Sequence, residues 1–274
     1  MAYPEDYPDD LTKAKAQGYL HKHMRVLADG LTGMPVYNPG TALGADLLAW
    51  WDASHTSRII GSPGVSTWLD AVAGYNLVQA TPAAQPVYSA TNFGGAPGLM
   101  FDGVDDFLNM ESVPFPTGAA PSEVWGLVQN DMDAADTTTR NFVGYGGNGV
   151  SVSTGVRRIF RTVTTGINRA GAGTGLSPSG SVSVTNTSVD FSRRHVVRVI
   201  FGATETTTYV DGIPEGPTAA VPGTLALRFR VGGSLITIPT LFWQGPIAAI
   251  LVTNPLSAAK ATGLHNYLMA RRKV

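Results

Sequence analysis

Three aspartates within five residues raise the question of what this chain can do. Asp102, Asp105 and Asp106 stand in the stretch GLMFDGVDDFLNM, residues 98–110. Grouped carboxylate oxygens are hard ligands that suit a divalent cation such as calcium. The same stretch also reads as punctuation between two short strands, because Asp-Gly supplies the positive φ of a tight hairpin. On that reading Asp102 turns the chain, and Asp105 and Asp106 face solvent on the return strand. A second group, Asp131, Asp133 and Asp136 in NDMDAAD, lacks the glycine and distal glutamate of an EF-hand. It reads as a solvated loop or, alternatively, as a calcium site. The expectation is a protein without a cofactor, with calcium as the alternative.

Catalytic constellations are sparse. No serine sits in a Gly-x-Ser-x-Gly elbow, and the glycines of GYGGNG lack the lysine of a phosphate loop. His21 and His23 stand two apart in an expected helix and so point away from each other. His55, His195 and His265 are isolated and read as packing or surface residues. Recognition chemistry has more material. Sugar sites combine an aromatic platform with amide and guanidinium hydrogen bonding on loops. Arg140, Asn141, Tyr145 and Asn148 cluster in RNFVGYGGNG, and Trp243 adds an aromatic; these are the carbohydrate-binding candidates. Tyr75 and Tyr88 also interrupt polar segments. Trp50, Trp51, Trp68 and Trp125 lie in apolar patterns and are assigned to the core. In RRIFRTV, Arg158 and Arg161 sit on one expected strand, facing either solvent or an anionic polysaccharide.

The elements that must position these residues are mostly strands. The chain has 274 residues, enough for one large domain or two ordinary ones with an ample core. Its 19 basic and 20 acidic residues nearly cancel, which gives no reason to expect nucleic acid or an anionic membrane. Charged residues make up only 14%, while 32 glycines and 18 prolines suit a turn-rich β protein. Without cysteine there is neither a disulfide framework nor a thiolate metal site. The opening MAYPEDYPDD lacks the basic and apolar regions of a signal peptide. No apolar run approaches the roughly 20 residues of a membrane span. The chain is therefore expected to fold in a cytosol, with no membrane insertion.

Short runs such as EVWGLVQ, RHVVRVIFG, TTTYVDG and GPIAAILVTN, separated by Gly, Pro, Asn and Asp, predict an antiparallel sandwich or barrel. Two segments predict helices. The first, about residues 9–31, carries a single apolar stripe of Leu20, Met24, Leu27 and Leu31. At about 1.5 Å per residue it is on the order of 30 Å long. A Pro/Gly-rich linker, GMPVYNPGTALG, follows it. Such a helix either packs on its own β domain or docks to a partner or to copies of itself. Residues 1–40 are read as a docking or oligomerisation segment and 41–274 as the β domain. The second helix lies in PLSAAKATGLHNYLMARRKV, capped by Ser257, with Leu264, Tyr267 and Leu268 as its apolar edge.

Four stretches in order resemble a concanavalin A-like lectin/glucanase domain, the laminin-G-type jelly roll. LLAWWDASHTSRII with VSTWLDAVAGYNLVQAT resembles the opening of such domains, including Trp-x-Asp and Gly-x-Asn. GAPGLMFDGVDDFL and TTTYVDGIPEGPT resemble its Asp-Gly hairpins. FWQGPIAAILVTNPLSAAKATGLHNYLMARR resembles the closing strand and helix. The resemblance spans about residues 47–272 and implies an all-β antiparallel jelly-roll sandwich with a short C-terminal helix. The glucanase branch carries Glu-x-Asp-x-x-Glu, which sets carboxylates on one strand face. None of Glu5, Glu111, Glu123, Glu205 and Glu215 has an aspartate at the required spacing. The expectation is accordingly a protein that is not an enzyme.

Sequences of this shape also resemble phage or gene-transfer-agent surface proteins. That resemblance implies a virion-surface head fibre, spike or tail adhesin. Its N-terminus would anchor to a capsid or tail protein, and its jelly roll would bind host-surface polysaccharide. A homo-oligomer, a trimer in a fibre, would suit that role. The alternatives are a purely structural decoration protein and a polysaccharide-degrading enzyme.

Overall fold

The computed structural model describes residues 37–112, 114–131, 136–146, 156–164, 167–175, 182–184, 189–219, 228–235 and 239–272. The expected first helix, with Leu20, Met24, Leu27 and Leu31, lies outside the described residues, as do Asp133 and Asn148. No described helix is long and apolar enough to cross a membrane.

A short helix α1 (Pro39–Leu43) leads into β1 (Leu47–Asp52). Three two-residue strands follow: β2 (Ile59–Ile60), β3 (Thr67–Trp68) and β4 (Leu77–Val78). Next come β5 (Val87–Phe93), β6 (Ala96–Asp102), β7 (Leu108–Glu111) and β8 (Ser122–Val128). The middle of the chain supplies β9 (Arg140–Gly146), β10 (Val156–Thr164), β11 (Ile167–Gly175) and β12 (Val182–Val184). The remainder forms β13 (His195–Phe201), β14 (Glu205–Val210), β15 (Ile213–Ala219), β16 (Arg228–Val231) and β17 (Gln244–Thr253). The last described element is α2 (Ala258–Arg272).

These strands make two antiparallel sheets. The first runs β15-β14-β13-β8-β17-β6-β5, with β1 also paired to β17. The second runs β12-β11-β10-β9-β16-β7-β4-β3-β2. The expected all-β antiparallel sandwich with a C-terminal helix is what forms. Strands β8 and β17 are central and buried along almost their whole length, because the first sheet has the second sheet on one face and α2 on the other. That double covering is why SEVWGLV and GPIAAILVT read as apolar runs rather than alternations. The edge strand β15 carries Pro214 and Pro217, and prolines are tolerated there because an edge has no ladder bond to lose on that side.

Aromatic rings fill the space between the sheets. Trp51 stacks on Phe229 at 5.1 Å, and Phe229 stacks on Tyr145 at 6.2 Å. Each such pair adds about 0.5–1.5 kcal/mol beyond the area it buries. Trp50, Trp51, Trp68 and Trp125 are all buried, as the apolar patterning implies. The Trp-x-Asp and Gly-x-Asn residues turn out to be a structural clasp. Asp70 accepts from the backbone N–H of Trp50 at 2.7 Å and of Ala73 at 2.7 Å, and Asn76 accepts from the N–H of Asp70 at 3.1 Å.

Two expectations about strands are corrected. Asp102-Gly103 does not close a hairpin, because β6 belongs to the first sheet and β7 to the second. The turn carries the chain across the sandwich. Asp211-Gly212 does close a hairpin: Val210 pairs with Ile213, with φ of +52° and +85° at the two turn residues. Arg158 and Arg161, three apart on β10, point to opposite faces, since strand side chains alternate. Arg161 is buried and donates to the carbonyls of Thr138 and Asp136, so it presents nothing to a polysaccharide.

Candidate functional site

At the rim, the aspartates of the β6–β7 turn bond to the turn's own backbone. Asp102 Oδ1 accepts from the N–H groups of Val104 at 2.8 Å, Asp105 at 3.2 Å and Asp106 at 3.3 Å. Asp106 Oδ2 accepts from Asp102 N–H at 2.9 Å, so the two residues close the turn reciprocally. Asp106 is buried, which corrects its expected solvent-facing position. Burial, with the charges of Asp102 and Asp105 beside it, pushes its carboxyl up to about 6. One oxygen from each of the three lies within 4.8 Å of the others. Three side-chain oxygens fit the chemistry of a hard cation but fall short of the six to eight that calcium takes. Asp131 and Asp136 do not belong to this group. Asp131 accepts from Gln129 Nε2 at 2.8 Å, and Asp136 pairs with Arg140 at 3.3 Å.

The described carbohydrate-binding candidates, Arg140, Asn141, Tyr145 and Trp243, are not brought together as a surface. Tyr145 is buried in the core with its hydroxyl against Ser122 and Arg157, and burial raises its pKa. Trp243 is equally buried and donates from Nε1 to the carbonyl of Gln129 at 3.1 Å. Neither ring is available as a sugar platform. The cause is strand phase: Tyr145 shares the inward face of β9 with Val143. Asn141 is buried, its Oδ1 without a partner among the described residues. Arg140 clamps the rim, donating to the carbonyls of Gly103 at 2.8 Å and Phe242 at 3.1 Å.

A different place has the shape of a binding site. Between the outer face of the first sheet and α2 lies a cleft of about 430 Å³, lined in part by Trp125, Arg198, Tyr209, Thr262 and His265. Strand register assembles its floor. Arg198 on β13 is directly paired with Trp125 on β8 and with Tyr209 on β14. The guanidinium consequently lies over both rings, 4.6 Å from Trp125 and 4.8 Å from Tyr209. Glu123 holds it from below. Its Oε2 accepts from Arg198 Nε and from Trp125 Nε1, each at 3.1 Å. Its Oε1 accepts from Arg198 Nη2 at 3.0 Å and from Leu256 N–H at 2.9 Å.

The roof is α2, fixed at both ends. Lys260 pairs with Asp46 at 2.6 Å, Arg271 with the buried Asp52 at 2.5 Å, and Arg272 with Asp211. Asp211 also meets His195 Nδ1 at 2.8 Å and accepts from Val196 N–H at 3.0 Å. Burial alone would raise its pKa, but the hydrogen bonds from His195, Arg272 and Val196 outweigh it and hold the carboxyl down at about 2. Gly212 lets the turn approach the helix: a Cβ there would stand 3.0 Å from His265 Cε1. Burial lowers the pKa of His265, as do the charges of Arg198 and Arg272, against the opposing pull of Asp211.

Sequence reasoning did not find this cleft. Trp125 was legible as a core residue and His265 as an isolated one, but nothing local joins positions 125, 198, 209 and 265.

No protein-family model and no curated protein sequence matches this chain. Solved structures do. Trypanosoma rangeli sialidase in complex with the inhibitor DANA matches 86% of this chain at 16% identity, with a TM-score of 0.52. The match covers 34% of that sialidase, so this chain spans about a third of its length. Domain 4 of AbnA, a GH43 extracellular arabinanase from Geobacillus stearothermophilus in complex with arabinotriose, is matched over 98% of its own length. That match covers 81% of this chain, at 11% identity and a TM-score of 0.55. The enzymatically active domain of bacteriophage CBA120 tailspike protein 2 matches 67% of this chain and 29% of its own, at 12% identity and a TM-score of 0.51.

Identities this low establish the fold: a β-sandwich shared with parts of carbohydrate-active proteins. They also correct the expectation of a protein that is not an enzyme, because about a third of a sialidase and a domain of an arabinanase share the fold, which leaves that expectation without support. The missing Glu-x-Asp-x-x-Glu spacing removes only one arrangement. Carboxylates drawn from different strands leave no local spacing to read.

Proposed function

We propose that this chain is a carbohydrate-binding jelly roll carried on the surface of a phage-like particle, and that the sugar enters the cleft beneath α2. The observation that carries the reading is the cleft itself. It brings Tyr209, Arg198, Thr262 and His265 to line one space of about 430 Å³. An aromatic wall with a few convergent polar groups is the usual make-up of a small-ligand site. The full-length match to a domain solved with arabinotriose supports a sugar as the ligand, and the tailspike likeness supports the particle. In this reading residues 1–40 dock to a capsid or tail protein or drive trimer formation, and the target is host-surface polysaccharide.

The test is binding of the full chain to purified host-surface polysaccharides, alongside Tyr209→Ala. Binding that falls about tenfold in the variant supports the reading, in line with the loss of a stacking contact and a hydroxyl. Absence of binding to any polysaccharide, or full binding by the variant, overturns it.

A further inference from the structure

The cleft presents an unequal set of hydrogen-bonding groups. Its nearest carboxylate, Glu123, has both oxygens spent, each on two donors. The next, Asp211, is spent on His195, Arg272 and Val196. Among the described residues no asparagine or glutamine lines the space. Neutral sugar hydroxyls are commonly gripped by acceptors of those kinds, and here none is open. Donors remain. Arg198, a lining residue of the cleft, bonds to Glu123 through Nε and Nη2, and its Nη1 has no hydrogen bond among the described residues. His265, Tyr209 and Thr262, which carry an imidazole and two hydroxyls, line the same space. Leu256, Ala258, Ala261 and Val196 supply an apolar wall on which a pyranose ring can rest. Glu123 and Asp211 are neutralised by Arg198 and Arg272, so among the described residues lining or bordering the cleft an incoming anion meets no unpaired negative charge.

We infer that the cleft takes an acidic sugar, a uronate, whose carboxylate bonds to Arg198 Nη1 and the Tyr209 hydroxyl with His265 beside it. The ligand brings the strong acceptor that the cleft lacks, and guanidinium–carboxylate bonds are the stronger, charge-assisted kind. The inference rests on the reading of the cleft as a sugar site and names the class of sugar.

The experiment compares methyl β-D-glucuronide with methyl β-D-glucoside, which differ in the group at C6, by titration calorimetry on the full chain. The expected result is glucuronide binding about tenfold or more tighter than glucoside, the scale of one charge-assisted bond. Thr262→Trp, at an exposed position, should fill the cleft and abolish glucuronide binding. Ala258→Trp fills it from the first turn of α2 and guards against a folding failure of the first variant. Equal binding of the two glycosides would overturn the acidic-sugar inference and leave the sugar site standing. Binding of neither would remove the sugar site itself. Glucuronide binding that survives in a folded cleft-filled variant would place the sugar elsewhere and overturn both.

Discussion

Arg198 and Glu123 meet from neighbouring strands through two parallel hydrogen bonds, Nε to Oε2 at 3.1 Å and Nη2 to Oε1 at 3.0 Å. The pair is the keystone of the cleft, since Glu123 also receives Trp125 and the backbone that enters α2. Its side chain is only 2% exposed, against 15% for Arg198. Removing one member of such a pair leaves the other buried and uncompensated.

Glu123→Gln should therefore destabilise the fold by about 3 kcal/mol, read from denaturant unfolding. Adding Arg198→Met should recover part of the loss, because the stranded charge goes with it. A single variant as stable as the parent would show that the pair holds nothing.

Asp211→Asn isolates the charge at the β14–β15 turn, because asparagine tolerates the positive φ found there. The folded carboxyl, held at about 2, lies below its unfolded value of 3.8. Its contribution is thus present above about pH 4 and is lost as pH falls through 2. The variant should be less stable by about 2 kcal/mol at pH 7, with the gap closing in strong acid. A gap that stays constant with pH would contradict the assignment.

Asp106 has the opposite sign. Its folded pKa of about 6 lies above the unfolded 3.8, so stability falls as pH rises between those values. Asp106→Asn keeps an acceptor for Asp102 N–H without the buried charge. It should be the more stable protein at pH 8, on the order of 2 kcal/mol, and lose the advantage near pH 4. Melting curves at the two pH values decide it.

His265 gives the uronate a pH dependence. Burial keeps the ring neutral to lower pH than an ordinary histidine, against the pull of Asp211 and with the push of Arg198 and Arg272. A carboxylate in the cleft favours its protonated form, so affinity should rise as pH falls below the usual histidine range. His265→Gln should flatten that rise while leaving melting unchanged within about 0.5 kcal/mol, as for a partly exposed position. A parent profile as flat as the variant's would remove His265 from the site.

Much of the architecture was legible in the chain itself. Short runs broken by Gly, Pro, Asn and Asp encode an antiparallel sandwich, since each strand needs only its own alternation and turns. The tryptophans of LLAWWD, TWLD and EVWGLV belong to the core on local pattern alone. Asp211-Gly212 closes a hairpin because two adjacent residues suffice to set a turn. The tertiary structure decided the rest. Asp102-Gly103 has the same dipeptide, yet the strands it joins belong to different sheets, and no local feature says so. Arg157 and Arg161 occupy inward positions of β10, so charge pattern misreports which face of that strand is buried. Tyr145 follows the same inward phase on β9 and is lost as a platform. The cleft depends on one register, Trp125 opposite Arg198 opposite Tyr209, among strands more than 70 residues apart at the extremes. Register is set by the packing of whole sheets, because a shift of one residue would turn every side chain of a strand to its other face.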